Sequence, residues 1–209
     1  MLPPTIPIFP LPNAVLFPSV FMPLHIFEAR YRAMVADAMA GDRIIGMVLL
    51  KAGFEADYEG RPPIFPVGCA GVITHSERLA DGRFNIVLKG LEKFRVTGED
   101  ASKAYRLAHI VGTPELVAAD ERTELSRMRQ RLEALLAAAA ERESGEPRFP
   151  PAVSDEELVN ALAQFMGLEA LERQALLERD GVVARCHGLI ELLEMKTMGR
   201  RAWKTGAIH

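Results

Sequence analysis

Histidines, thiols and clustered carboxylates are the raw material of most catalytic and metal sites, and this chain places few of them at useful spacings. Its five histidines are His25, His75, His109, His187 and His209. His25 and Glu28 make an HxxE pair, which is half of a zinc ligand set, but it straddles an expected strand-to-helix junction and no second pair accompanies it. Capping is the simpler role for Glu28, at the first turn of the helix it opens, where free N–H groups carry partial positive charge. Cys186 and His187 could act as a thiol–imidazole pair only if their side chains met, and as helix neighbours they diverge by about 100°. Cys69 and Cys186, far apart and in apolar surroundings, read as buried reduced thiols. Nucleotide hydrolysis by a P-loop needs G-x-x-x-x-G-K-[ST], yet no Gly-Lys dipeptide occurs. The expectation is a protein with no catalytic residues, no metal and no cofactor, whose work is binding.

The residues that could bind lie near the start. Seven of the fourteen prolines fall at Pro3, Pro4, Pro7, Pro10, Pro12, Pro18 and Pro23. Each fixes φ and removes a backbone donor, which rules out helix and disfavours a central strand. Between them stand Ile6, Ile8, Phe9, Leu11, Val15, Leu16, Phe17, Val20, Phe21, Leu24 and Phe27, too apolar for a solvated tail. Short bent strands around a small barrel satisfy both demands. Phe17, Phe21, Met22 and Phe27 are the candidate substrate-binding residues. Phe17, Phe21 and Met22 are expected to be exposed because they adjoin prolines at an edge, and Met22 adds a side chain that adapts to many partners.

The remaining elements follow from periodicity. Residues 28–40 read as a helix with Tyr31, Met34, Val35, Ala38 and Met39 on one face, and 43–50 as a buried strand. Residues 51–63 read as a polar loop. Asp81-Gly82 marks a hairpin between strands at 66–75 and 84–89, Gly90 ends the second, and two short strands follow at 93–97 and 105–112. Gly68 and Gly71 suggest a bulge or a close backbone approach. From Asp120 the period becomes helical, through Leu125, Met128, Leu132, Leu135, Leu136 and Ala139. A loop is expected at 144–153, then a capping box of Ser154 and Glu157 opening a helix whose apolar stripe is Leu158, Ala161, Leu162, Phe165 and Met166. Helices at 169–179 and 182–198 complete a bundle.

Composition narrows the partners. The chain has 209 residues, 25 Lys and Arg against 28 Asp and Glu, and no apolar run near the roughly 20 residues a membrane helix requires. Residues 1–112 carry 12 basic against 11 acidic side chains, and 113–209 carry 13 against 17, so neither half has the excess that phosphate neutralisation demands. Nucleic acid and membrane are both disfavoured as partners. The start has no basic region leading a hydrophobic segment, and with two thiols that points to the cytoplasm.

Residues 6–31, with IPIFPLP, VLFP and PLHIFEARY in order, resemble the opening of the amino-terminal substrate-binding domain of the Lon protease family. VGCAGVI at 67–73, DGRFNIVLKGLEKFRV at 81–96 and LERQALLERDGVVARCHGLIELLE at 171–194 extend that resemblance over nearly the whole chain. It implies an α+β fold: a PUA-like antiparallel pseudo-barrel over 1–115 with one early helix at about 28–40, then an α-helical bundle over 118–209. It also implies recognition of unfolded or apolar polypeptide segments, with a Lon-type protease in trans as a further partner. Lon ATPase and serine–lysine protease domains follow this region in the family, and the chain ends before either, so peptidase activity is not expected. A PUA-like barrel that binds a small molecule or RNA is the alternative, marked for RNA by steep salt dependence. A peptidase-associated enzyme is the third class, and casein cleavage would reveal it.

Overall fold

The computed structural model describes residues 1–54, 60–140 and 153–206, with side chains described to 137 and from 153 to 196. The expected loop at 144–153 lies almost wholly outside the described residues. The fold is α+β. Six strands, β1 (Thr5–Leu11), β2 (Phe21–Ile26), β3 (Ile44–Leu49), β4 (Val67–Arg78), β5 (Phe84–Asp100) and β6 (Arg106–Thr113), form one sheet in the order β2-β5-β4-β3-β1-β6. Because β6 also pairs with β5, five strands close into a ring and β2 lies outside it on β5. The pairings are antiparallel except β1 with β3, which is parallel from Ile8↔Gly46 to Leu11↔Leu49. A parallel pair needs a long crossover. Here it runs through β2 and the helix α1 (Ala29–Ala40).

Strand β1 carries Pro7 and Pro10 yet lies between two neighbours, the position from which proline is normally barred. The register resolves this. Thr5–Ile8 pairs with β6 and Ile8–Leu11 pairs with β3, so each half of the strand has one partner and each proline sits where a missing N–H breaks no ladder on the other side. Strand β5 was expected in two pieces and is a single span of 17 residues. Its first half pairs with β2 and its second with β6, while β4 runs along most of it. Gly90 does not end the strand. It opposes Gly71 at a register shift, as the glycines of β4 suggested, and it lets another segment come close.

Phe94 is the centre of the barrel core, packed with Ile6, Ile8, Val48, Ala70, Ala108 and Ile110. Its ring fits because two strands carry no side chain beside it: a β-carbon at Gly46 would lie 2.7 Å from Phe94 Cζ and one at Gly68 would lie 2.8 Å from it. Two helices follow further along, α3 (Asp155–Phe165) and α4 (Ala170–Leu177), between α2 (Ala119–Ala140) and α5 (Gly181–Gly206).

By contacts the chain divides into two compact units, residues 1–115 with 160–178 and residues 116–159 with 179–209. In the second, α2 presents buried Leu125, Met128 and Leu132, and α5 presents buried Val182, Cys186, Leu189 and Ile190. His187 meets Glu124 at 3.1 Å and Arg131 meets Glu194 at 2.5 Å. Both bonds advance in the same direction along the two helices, so α2 and α5 run parallel. The capping box at the start of α3 forms as expected, Glu157 N–H donating to Ser154 Oγ at 3.2 Å and Ser154 N–H to Glu157 Oε2 at 3.3 Å.

Candidate functional site

An apolar cavity of about 390 Å³ opens in the first unit, lined by Pro12, Leu49, Leu50, Lys51, Ala52, Phe54, Pro62, Ala170 and Leu171. Its floor is the end of β3. Leu50 N–H donates to Leu11 C=O at 3.0 Å, Phe65 N–H to Leu49 C=O at 2.9 Å and Lys51 N–H to Pro63 C=O at 2.9 Å, which tie β1, β3 and residues 63–65 together beneath the opening. Helix α4 supplies the opposite wall. Gln174 donates from Nε2 to Val67 C=O at 3.0 Å and Arg173 from Nη2 to Asn13 C=O at 2.7 Å, so two side-chain amide and guanidinium bonds hold α4 against the barrel backbone. At the rim Phe54 and Leu171 remain 45% and 55% exposed. Apolar side chains left in water around a concavity are the mark of a surface that meets another molecule.

The sequence reading did not find this cavity. Phe54 lies in what reads as a polar loop, Leu171 in an ordinary amphipathic helix, and 120 residues separate Lys51 from Leu171.

The four candidate binding residues part company. Phe21 and Phe27 are exposed at 49% and 63% and share the outer face of β2 with Pro23 and His25. Met22, expected to be exposed, is half-buried, because strand periodicity puts it on the alternate face from Phe21. Phe17 is fully buried, which corrects its expected exposure. The cause is Gly90: Ser19 N–H donates to Gly90 C=O and Gly90 N–H to Val20 C=O, both at 2.9 Å, and a β-carbon at 90 would strike the Phe17 carbonyl. Phe17 N–H then donates to Gln164 Oε1 at 3.1 Å, and Gln164 Nε2 donates to Phe21 C=O at 3.2 Å. The proline-flanked segment is thus stitched inward at Phe17 and turns outward only from Phe21.

The polar candidates are occupied otherwise. Arg83 Nη1 donates to His25 Nε2 at 3.4 Å, His25 Nδ1–H donates to Asn85 Oδ1 at 2.8 Å, and Asn85 Nδ2 donates to Glu77 Oε2 at 3.0 Å. Glu28 is the N-cap residue of α1 but makes no side-chain cap bond; its carboxylate accepts Arg30 Nε at 3.0 Å, which replaces the expected capping role. Among the described residues no three of His, Cys, Asp and Glu converge as a metal set. Cys69 and Cys186 are both buried, and burial first, then the Asp155 charge, pushes the Cys186 thiol up to about 12. A thiol so shifted is no nucleophile at neutral pH. His187 points instead to Glu124, as its helical offset from Cys186 demands.

Among the described residues no helix is long and apolar enough to cross a membrane. Relatives at the level of sequence include Lon protease 2 of Myxococcus xanthus, 27% identical over 203 residues that cover 93% of this chain and 24% of that protein. The Lon protease of Dictyoglomus thermophilum is 29% identical over 197 residues, 88% of this chain and 23% of its own. The chain therefore spans about a quarter of the length of these curated relatives. Among solved structures, the N-terminal domain of Mycobacterium avium complex Lon protease superposes with a TM-score of 0.65 at 20% identity, covering 91% of this chain and 98% of that one. A Lon N-terminal domain protein from Xanthomonas campestris gives 0.64 at 22%, covering 90% and 97%. Those two likenesses establish the fold. Residues 5–195 match the family described as the ATP-dependent protease La (LON) substrate-binding domain, and the chain belongs to that family.

Proposed function

We propose that the protein is a non-catalytic recognition module that holds unfolded or apolar polypeptide segments, taking one apolar side chain at a time in the cavity between β3 and α4. The observation that carries this reading is the cavity of about 390 Å³ with Phe54 and Leu171 exposed at its rim. That volume falls within the range of roughly 300–1,000 Å³ typical of ligand pockets and suits a leucine or aromatic side chain with its flanking backbone. Phe21 and Phe27 on the outer face of β2 provide a second apolar contact for an extended segment; Met22 lends it only partial area and Phe17 none. Membership of a family described by substrate binding supports the same reading. A Lon-type protease acting in trans on the held segment is the partner it names.

The test is fluorescence polarisation with a labelled, permanently unfolded model protein. Leu171→Asp or Phe54→Asp places a charge at the apolar rim and is expected to weaken binding by about tenfold or more, given the cost of desolvating a carboxylate there. Phe21→Asp is expected to weaken it less. Unchanged affinity in both rim variants, with unfolding curves like the parent's, contradicts the cavity as the site.

A further inference from the structure

Strand β2 is the last strand of the sheet and bonds to β5 on one side only. Three observations fix which of its backbone groups face away from β5. Pro23, which has no N–H, stands opposite Val87, and the Val87 carbonyl is turned to β4, where it accepts Thr74 Oγ1 at 3.1 Å. Gly90 N–H donates to Val20 C=O at 2.9 Å, which puts the residues bonded to β5 at the even positions from 20 to 26. Phe21 C=O points the other way and accepts Gln164 Nε2 at 3.2 Å. The outward groups therefore belong to Phe21, Pro23 and His25, at the two-residue spacing of a strand ladder.

Gln164 closes one end of that row. Beyond it, Pro23 C=O and both backbone groups of His25 have no hydrogen-bond partner among the described residues, and both residues are exposed. The His25 imidazole is engaged with Asn85 and Arg83, which ties β2 to the β4–β5 hairpin and leaves its outer main chain open. The side chains around the row are apolar on both faces. Phe21 and Phe27 stand exposed on the outer one, with Phe27 stacked on the His25 ring at 6.3 Å, and Met22 and Leu24 on the alternate one are only half-buried. Donors and acceptors left open in ladder register are complementary to one structure, another extended backbone.

We propose that the open edge of β2 takes a short extended polypeptide segment as an added antiparallel strand. One residue of the segment exchanges two hydrogen bonds with His25, and the residue two positions on donates its N–H to Pro23 C=O. Pairing stops at Phe21, where Gln164 holds the next ladder position. Side chains of the segment then lie beside Phe21 and Phe27 on one face and Met22 and Leu24 on the other. The edge thus selects segments that are apolar on both faces and carry no proline where an N–H is needed. This inference rests on the reading of the protein as a holder of unfolded apolar segments, and adds main-chain bonding to it.

The experiment follows backbone amides of the full chain by NMR while the peptide acetyl-Lys-Val-Leu-Ile-Val-Lys-amide is added. The expected result is a saturable downfield shift of the His25 amide proton and its protection from exchange. The same peptide N-methylated at Leu and Ile, adjacent residues and so one on each edge, is expected to bind about tenfold more weakly, since it loses a main-chain bond whichever edge it presents. On the protein side, His25→Pro removes the outward N–H without touching the bonds to β5, and a similar loss is expected. His25→Ala keeps that N–H and is expected to bind like the parent. Thermal unfolding verifies that both variants fold, and the methylated peptide tests the same bonds on the unaltered chain. Equal affinity of the two peptides overturns the proposal, as does a His25 amide that stays unprotected at saturation. Should the unfolded model protein bind while the peptide leaves His25 unprotected, strand addition fails and the reading beneath it stands; should neither bind, both fail.

Discussion

Tyr105 shows how much of this protein's behaviour is set by single pairs that no pattern in the chain announces. Its phenol is raised from 10.0 to about 12, first by burial and then by the hydrogen bond to Asp37. That bond, with Lys103 after it, holds the Asp37 carboxyl below the ordinary carboxylate range. Between pH 10 and 12 the unfolded chain releases the phenol proton while the native chain keeps it, so stability falls as pH rises through that window. At the acid end the sign reverses: Asp37 contributes above its unfolded value of 3.8, and the contribution disappears as pH falls through the lower native one. Tyr105→Phe should therefore cost about 1 kcal/mol near neutrality, at the low end for a charged bond because the Asp37 side chain is half-exposed. It should also flatten the alkaline loss and lessen the acid one. Urea unfolding at pH 3, 7 and 11 would measure all three effects.

Among the elements, α3 departs most usefully from its pattern. The periodicity places Phe165 on the buried stripe, yet it is 68% exposed, while Val159, Asn160, Ala163 and Gln164 are buried. The stripe is rotated because the Gln164 amide bridges Phe17 N–H and Phe21 C=O, two backbone groups of the segment that leads into β2. Gln164→Ala should cost about 1–3 kcal/mol, since two hydrogen bonds, one of them buried, are lost, and should raise amide exchange at Phe17 and in β2 before other strands. Hydrogen exchange uniform across the sheet in this variant would contradict the bridging role. Strand β5 went astray in the sequence for a related reason. Glycine reads locally as a break, but at Gly90 the missing β-carbon admits the Phe17 carbonyl, and an approach by residues more than 70 positions away leaves no local signal. The cap of α3, by contrast, was legible: Ser154 and Glu157 satisfy each other within four residues, so their chemistry is complete in the local sequence.

At the scale of the whole molecule, the closed ring depends on a few positions where strands meet without side chains. Phe94→Ala should destabilise the first unit by about 3–5 kcal/mol, since the void is walled by backbone at Gly46 and Gly68 and cannot readily collapse. Denaturant unfolding would read the loss directly; a cost below about 1 kcal/mol would show a core able to close around the gap. By itself the sequence determined the α+β class, the family, the change of period from strand to helix near residue 120, and the exposure of Phe21. These are properties of neighbours along the chain, where turn chemistry, proline and apolar spacing act over a few residues. Tertiary structure alone decided the parallel pairing of β1 with β3, the burial of Phe17, and the assembly of the apolar cavity from residues as distant as Pro12 and Leu171. The physical reason is that a cavity is space left among segments once their cores are packed, and no single segment carries the shape of that space.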